Sequence, residues 1–134
     1  MKMRAIMTVM AATAIAACAT ERDSEVSEKA AAELAKYEAT GETRACLQLR
    51  AIDSIKAIDD RHLLIEMRSG DLYLNKTNGR CTGATDIGTR LQYQTSLSQL
   101  CQNEIVRVVD NLTGIERGGC GLNEFEAVQE KETE

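Results

Sequence analysis

Hydrophobic and polar positions change rhythm along the chain, and each rhythm predicts a different element. Met7 to Ala17 is an uncharged run of small and apolar residues behind Lys2 and Arg4. It has the length of a signal-peptide hydrophobic region and falls short of the roughly 20 apolar residues that span a bilayer. Ser24 to Ala39 then repeats at helical spacing, with Val26, Ala30, Leu34 and Tyr37 on one face. Glu, Lys and Ala dominate the stretch, Glu25 precedes Lys29 by four, and Thr40-Gly41 is a stop. The apolar stripe is thin, which predicts a solvated spacer helix, with weak docking on the domain or a binding helix as the alternative.

From Cys46 onward the pattern is that of strands. Leu47 to Ile58 is an irregular first strand, and Asp59-Asp60-Arg61 is a turn. Leu63, Ile65 and Met67 alternate with Glu66 and Arg68, and Leu72 to Asn75 returns after the tight turn Ser69-Gly70-Asp71. Asn78-Gly79 marks a further turn, and 82–90 is loop-like. Leu91 to Thr95 alternates, 96–102 holds one helical turn, and Ile105 to Val109 is rich in β-branched residues. Thr113 to Gly119 reads as a turn region and Gly121 to Val128 as a last strand. The expected fold is mainly β: a small antiparallel barrel or sandwich of about six short strands, resembling oligonucleotide/oligosaccharide-binding or SH3 barrels, preceded by the N-terminal spacer helix. The expected division is a signal at 1–17, a tether at 18–45 carrying the helix 24–39, a β domain at 46–128 and an acidic tail at 129–134.

Ile15-Ala16-Ala17-Cys18 resembles the bacterial lipoprotein lipobox, in which a branched aliphatic residue and two small residues precede a cysteine. The resemblance implies diacylglyceryl transfer to the Cys18 thiol, cleavage before it and acylation of the new amino group. Each buried acyl CH₂ contributes about 0.8 kcal/mol, so two or three chains hold a protein on a membrane almost permanently. Ala19, rather than Asp, follows the anchor, and the sorting rule of enteric bacteria then implies the outer membrane, facing the periplasm. Lipid on Cys18 takes one of the 5 cysteines and leaves an even number for pairing.

Cys46, Cys81, Cys101 and Cys120 suit an oxidising compartment and would staple a core this small. Their spacing contains no close pair of the kind a zinc site uses. Three connectivities are open. A hairpin turning near Gly70 sets Cys46 and Cys81 at opposite ends, and Cys101 and Cys120 flank the strand 105–109 at its two ends. The expected pairing is therefore Cys46–Cys120 with Cys81–Cys101.

Composition removes several functions. The formal charge is −5, and removal of Lys2 and Arg4 makes it more negative by two. An acidic chain with no basic cluster does not suit nucleic acid, whose binding rests on Lys and Arg meeting phosphate. Aromatic content is 3% with no Trp, so there is no stacking platform for bases or sugars. Proline is absent, and turns must come from Gly, Asn, Asp and Ser. Gly118-Gly119-Cys120-Gly121 lacks the Lys and Ser/Thr of a phosphate loop, and the acidic residues do not form a calcium loop. No cofactor, metal or catalytic set is expected. Asp59, Asp60, Arg61 and His62 gather acid, cation and the single histidine, and form a candidate binding surface. A charged turn entering a strand accounts for the same four residues, because acid–base chemistry draws its groups from several segments.

Several motifs between Cys46 and Phe125 carry a family resemblance: Ile58-Asp59-Asp60, Met67-Arg68-Ser69-Gly70 with Tyr73 and Asn75, Gly79-Arg80-Cys81, Tyr93 through Cys101, and Cys120 through Phe125. The segment resembles small proteobacterial lipoproteins classed as a domain of unknown function. That resemblance implies an exported domain with four cysteines and brings no activity. The expected role is non-enzymatic, binding or structural, on the periplasmic side of a membrane reached through the lipid anchor, with a periplasmic protein or cell-wall component as partner. Two alternatives are an inhibitor of an extracellular hydrolase such as lysozyme, and an enzyme using Asp59 to His62.

Overall fold

The computed structural model describes residues 27–132. The signal, Cys18 and the start of the expected helix lie outside them. A short helix, α1 (Glu28–Leu34), is followed by ten strands: β1 (Tyr37–Arg44), β2 (Cys46–Gln48), β3 (Ile52–Ala57), β4 (His62–Met67), β5 (Leu72–Lys76), β6 (Thr89–Tyr93), β7 (Gln99–Cys101), β8 (Ile105–Asp110), β9 (Glu116–Gly121) and β10 (Phe125–Glu130). All pairings are antiparallel. They form a five-stranded sheet in the order β1-β10-β5-β4-β3, a three-stranded sheet β6-β8-β9 and a two-stranded sheet β2-β7. The sheets do not close into a barrel, and the architecture is sandwich-like with more strands than the six expected.

The core lies between the sheets. Leu63, Ile65, Met67, Tyr73 and Phe125 come from the five-stranded sheet, Val106, Val108 and Cys120 from the three-stranded one, and Leu47 and Leu100 from β2 and β7. Alternation in β4 therefore reads as expected, since Leu63, Ile65 and Met67 all face this core. Leu64, on the opposite face, is buried as well, while Glu66 on that face is exposed. The β4–β5 hairpin turns where expected, with Gly70 at φ 93, a conformation that costs glycine little.

Five expectations change. The helix is capped by Ser27, whose hydroxyl accepts from the Ala30 N–H at 3.2 Å, and it ends at Leu34 instead of Ala39. Tyr37 to Arg44, assigned to helix and tether, pairs with β10 across a bulge between Ala39 and Thr43. The tertiary partner outweighs the helix propensity of a short segment. The long strand 47–58 is broken by a 3₁₀ turn at Leu49–Ala51 into β2 and β3, which belong to different sheets. Residues 116–121 form β9 rather than a turn, because β8 supplies a partner that glycine-rich residues do not signal on their own. Residues 96–102 carry β7 rather than a helical turn, paired with β2.

The disulfides join Cys46 to Cys101 and Cys81 to Cys120, which corrects the expected Cys46–Cys120 and Cys81–Cys101. Cys46 lies directly opposite Cys101 in the β2–β7 ladder. Asn78 bridges to Gly121, which carries Cys81 to β9 beside Cys120. Neither long-range pairing is visible from spacing in the sequence.

Candidate functional site

Asp59 organises the turn between β3 and β4. One carboxylate oxygen accepts from the backbone N–H of both Arg61 and His62, at 2.7 Å each. The His62 imidazole Nδ1 lies 2.9 Å from both carboxylate oxygens. A carboxylate can only accept, so Nδ1 carries a proton toward Asp59, and in the neutral imidazole Nε2 is the acceptor nitrogen. The two side chains are 15% and 17% exposed, so the pair is sheltered without being sealed.

The turn is tied to the loop that follows β5. The Asp60 carbonyl accepts from Cys81 N–H at 2.6 Å, and the Arg61 carbonyl accepts from Thr77 N–H at 2.8 Å. Arg80 donates to the Asp60 carboxylate at 3.2 Å. Cys81 is fully buried and is bonded to Cys120 on β9, so one disulfide connects the turn's support to the three-stranded sheet. Asp59 to His62, consecutive in the sequence, form this turn, and Asp59 has a structural part in it.

These four residues help line an open groove of about 1540 Å³. β3 and Ile58 line it, together with α1 residues Ser27, Lys29, Ala30 and Glu33 and β6 residues Thr89, Arg90, Leu91 and Tyr93. Ile52, Ile55 and Leu91 give it an apolar floor, being partly buried against the core. Its cations are Lys29, Lys56, Arg61, Lys76, Arg80 and Arg90, against the acids Glu33, Asp53, Asp59 and Asp60. The groove is cationic on a chain whose formal charge is −5. The Glu33 carboxyl is held below its usual value by its hydrogen bond from Lys36 and also by the charge of Lys56, which places α1 beside β3.

Sequence reading missed most of this groove. β3 and α1 carry no motif, β6 carries only the first residue of one, and distant segments meet only through sheet order. Tyr93 and Leu91 were legible as strand residues but carried no sign of lining a site. Among the described residues no cluster of three or more His, Cys, Asp or Glu is arranged to hold a metal ion. No helix among them is long and apolar enough to cross a membrane.

No curated protein and no solved structure matches the chain. A family model does match, over residues 1–133, and the chain belongs to that family, described as a family of unknown function (DUF6491).

Proposed function

We propose that this protein is a non-enzymatic binding protein of the bacterial envelope, held by lipid on Cys18 and directed at a periplasmic protein or a cell-wall component. The groove beside β3 carries the binding part of this reading. Its volume of about 1540 Å³ exceeds the roughly 300–1,000 Å³ of a small-molecule cleft, and its lining mixes an apolar floor with charged walls. The four cysteines of the domain are all in disulfides, which suits an oxidising compartment and removes a thiol nucleophile. The test is a photo-crosslinking residue placed at Asp53 or Thr85, both on the groove, and activated in intact cells. A discrete adduct is expected, and a blank across growth conditions counts against the role.

The His62–Asp59 pair favours a second reading as an enzyme. A carboxylate that orients an imidazole by Nδ1 leaves Nε2 able to take a proton from a bound hydroxyl or water. His62→Ala would then abolish a cellular phenotype that the intact gene supports, and a variant indistinguishable from wild type in every assay removes the reading. Inhibition of a basic hydrolase such as lysozyme draws support from the overall negative charge alone. The cation excess of the groove would send a basic enzyme to another face. Full lysis retained with the protein in excess over a panel of lysozymes would end that idea.

A further inference from the structure

The groove is bounded by strand edges rather than by sheet faces. Seven consecutive residues, 52 to 58, line it. A strand presenting one face would contribute alternate residues, so β3 meets the groove edge-on. β3 ends the five-stranded sheet and β6 ends the three-stranded one, and among the described residues neither has a partner strand on its outer side.

The ladder sets which backbone groups face away from the neighbouring strand. Ile58 N–H donates to the His62 carbonyl at 2.8 Å, in the register that continues through Lys56↔Leu64 and Ser54↔Glu66. Backbone groups alternate sides along an antiparallel strand. Ser54 and Lys56 therefore turn theirs toward β4, and Ile55 and Ala57 turn theirs outward. On β6, Asn111 N–H donates to the Gly88 carbonyl at 2.8 Å, in register with Arg90↔Val109. The same alternation turns the groups of Leu91 and Tyr93 outward, and both residues line the groove. Among the described residues these edges are unpaired, and an unpaired edge is a template for another strand; the local excess of cations selects against a basic one.

We infer that the groove takes an extended acidic polypeptide segment as an added strand, hydrogen-bonded to the outward groups of Ile55 and Ala57, with its carboxylates against the groove's lysines and arginines. This inference rests on the binding function proposed above and names the partner's chemistry. Main-chain bonds would supply affinity and the cations would supply sign selectivity.

The full chain is titrated with three end-blocked peptides: alternating Val and Glu, alternating Val and Lys, and the Val–Glu peptide N-methylated at every amide. The Val–Glu peptide is expected to bind and to slow amide exchange at Ile55 and Ala57. N-methylation, which removes donors and adds bulk at the shared edge, is expected to weaken binding by about tenfold or more. Ala57→Pro removes an outward N–H only, a position where edge strands accept proline, and is expected to weaken it similarly. The N-methylated arm reads the same interaction without altering the protein. Absence of saturable Val–Glu binding, unchanged exchange at Ile55 and Ala57, equal binding of the N-methylated peptide, or equal binding of the Val–Lys peptide would each overturn the inference. A partner crosslinked in cells, with no Val–Glu binding, would leave the binding function standing and remove strand addition.

Discussion

Single residues here act mostly by satisfying backbone groups at turns. Asn75 is fully buried, donates to the Asn123 carbonyl at 2.7 Å and accepts from the Asn123 N–H at 3.0 Å. It thereby fixes the approach to β10. Asn75→Ala strands both groups, at about 1–3 kcal/mol, and urea denaturation at neutral pH should read a loss of that size. Asp110 does similar work at the β8–β9 turn. Its carboxylate accepts from the Thr113 and Leu112 N–H groups at 3.0 and 2.9 Å, and from Arg117 at 2.7 Å. The Thr113 backbone bond is the main cause, with the Arg117 guanidinium next, that lowers its pKa to about 2. A carboxyl depressed in the folded state stabilises above its unfolded value of about 3.9. That contribution is lost as pH falls from about 4 through about 2. The Thr113 amide resonance should therefore titrate with a midpoint near 2, and a midpoint near 4 would show that the turn does not hold its carboxylate.

At the scale of elements, the two disulfides do different jobs. Cys81–Cys120 is buried and ties the 77–81 loop to β9, while Cys46–Cys101 links β2 to β7. They close separations of 39 and 55 residues, so chain entropy assigns each a similar share, about 4 kcal/mol. Replacing both cysteines of either pair by alanine should lower the denaturation midpoint. The Cys81–Cys120 pair should cost more, since its loss also opens space in the core. Peptide mapping of non-reduced protein checks the connectivity directly. β3 shows how one strand serves both packing and recognition. Ile52, Ile55 and Ala57 pack partly on the core, while its outer edge borders the groove. Lys56→Pro should break the β3–β4 ladder and lower thermal stability sharply, whereas Ala57→Pro should leave the fold intact. Thermal melts of the two variants separate those outcomes.

At the scale of the whole molecule, the groove exists because α1, the five-stranded sheet and the three-stranded sheet meet at one corner. Its use depends on where the protein is kept. If the proposed anchor holds, Cys18→Ser should move the protein from the membrane fraction to the soluble fraction and abolish the acyl mass on the mature chain. A wild-type protein already soluble would remove the anchor and with it the envelope setting. The strand–turn–strand of β4 and β5 was readable because alternation and a Ser-Gly-Asp turn are local signals. So was the core face of Leu63, Ile65 and Met67. The pairing of Tyr37 to Arg44 with β10 was not, because its partner lies some ninety residues away and Gly41 interrupts the local pattern.

By itself, the order of residues determined a mainly β, cysteine-containing domain and a charged turn at Asp59 to His62, since periodicity, turn chemistry and composition act over a few neighbours. Tertiary structure alone decided which cysteines pair, which strands stand at the edge and where the groove opens. Those outcomes depend on sheet order, which is set when many weak, distant contacts are satisfied together around one core.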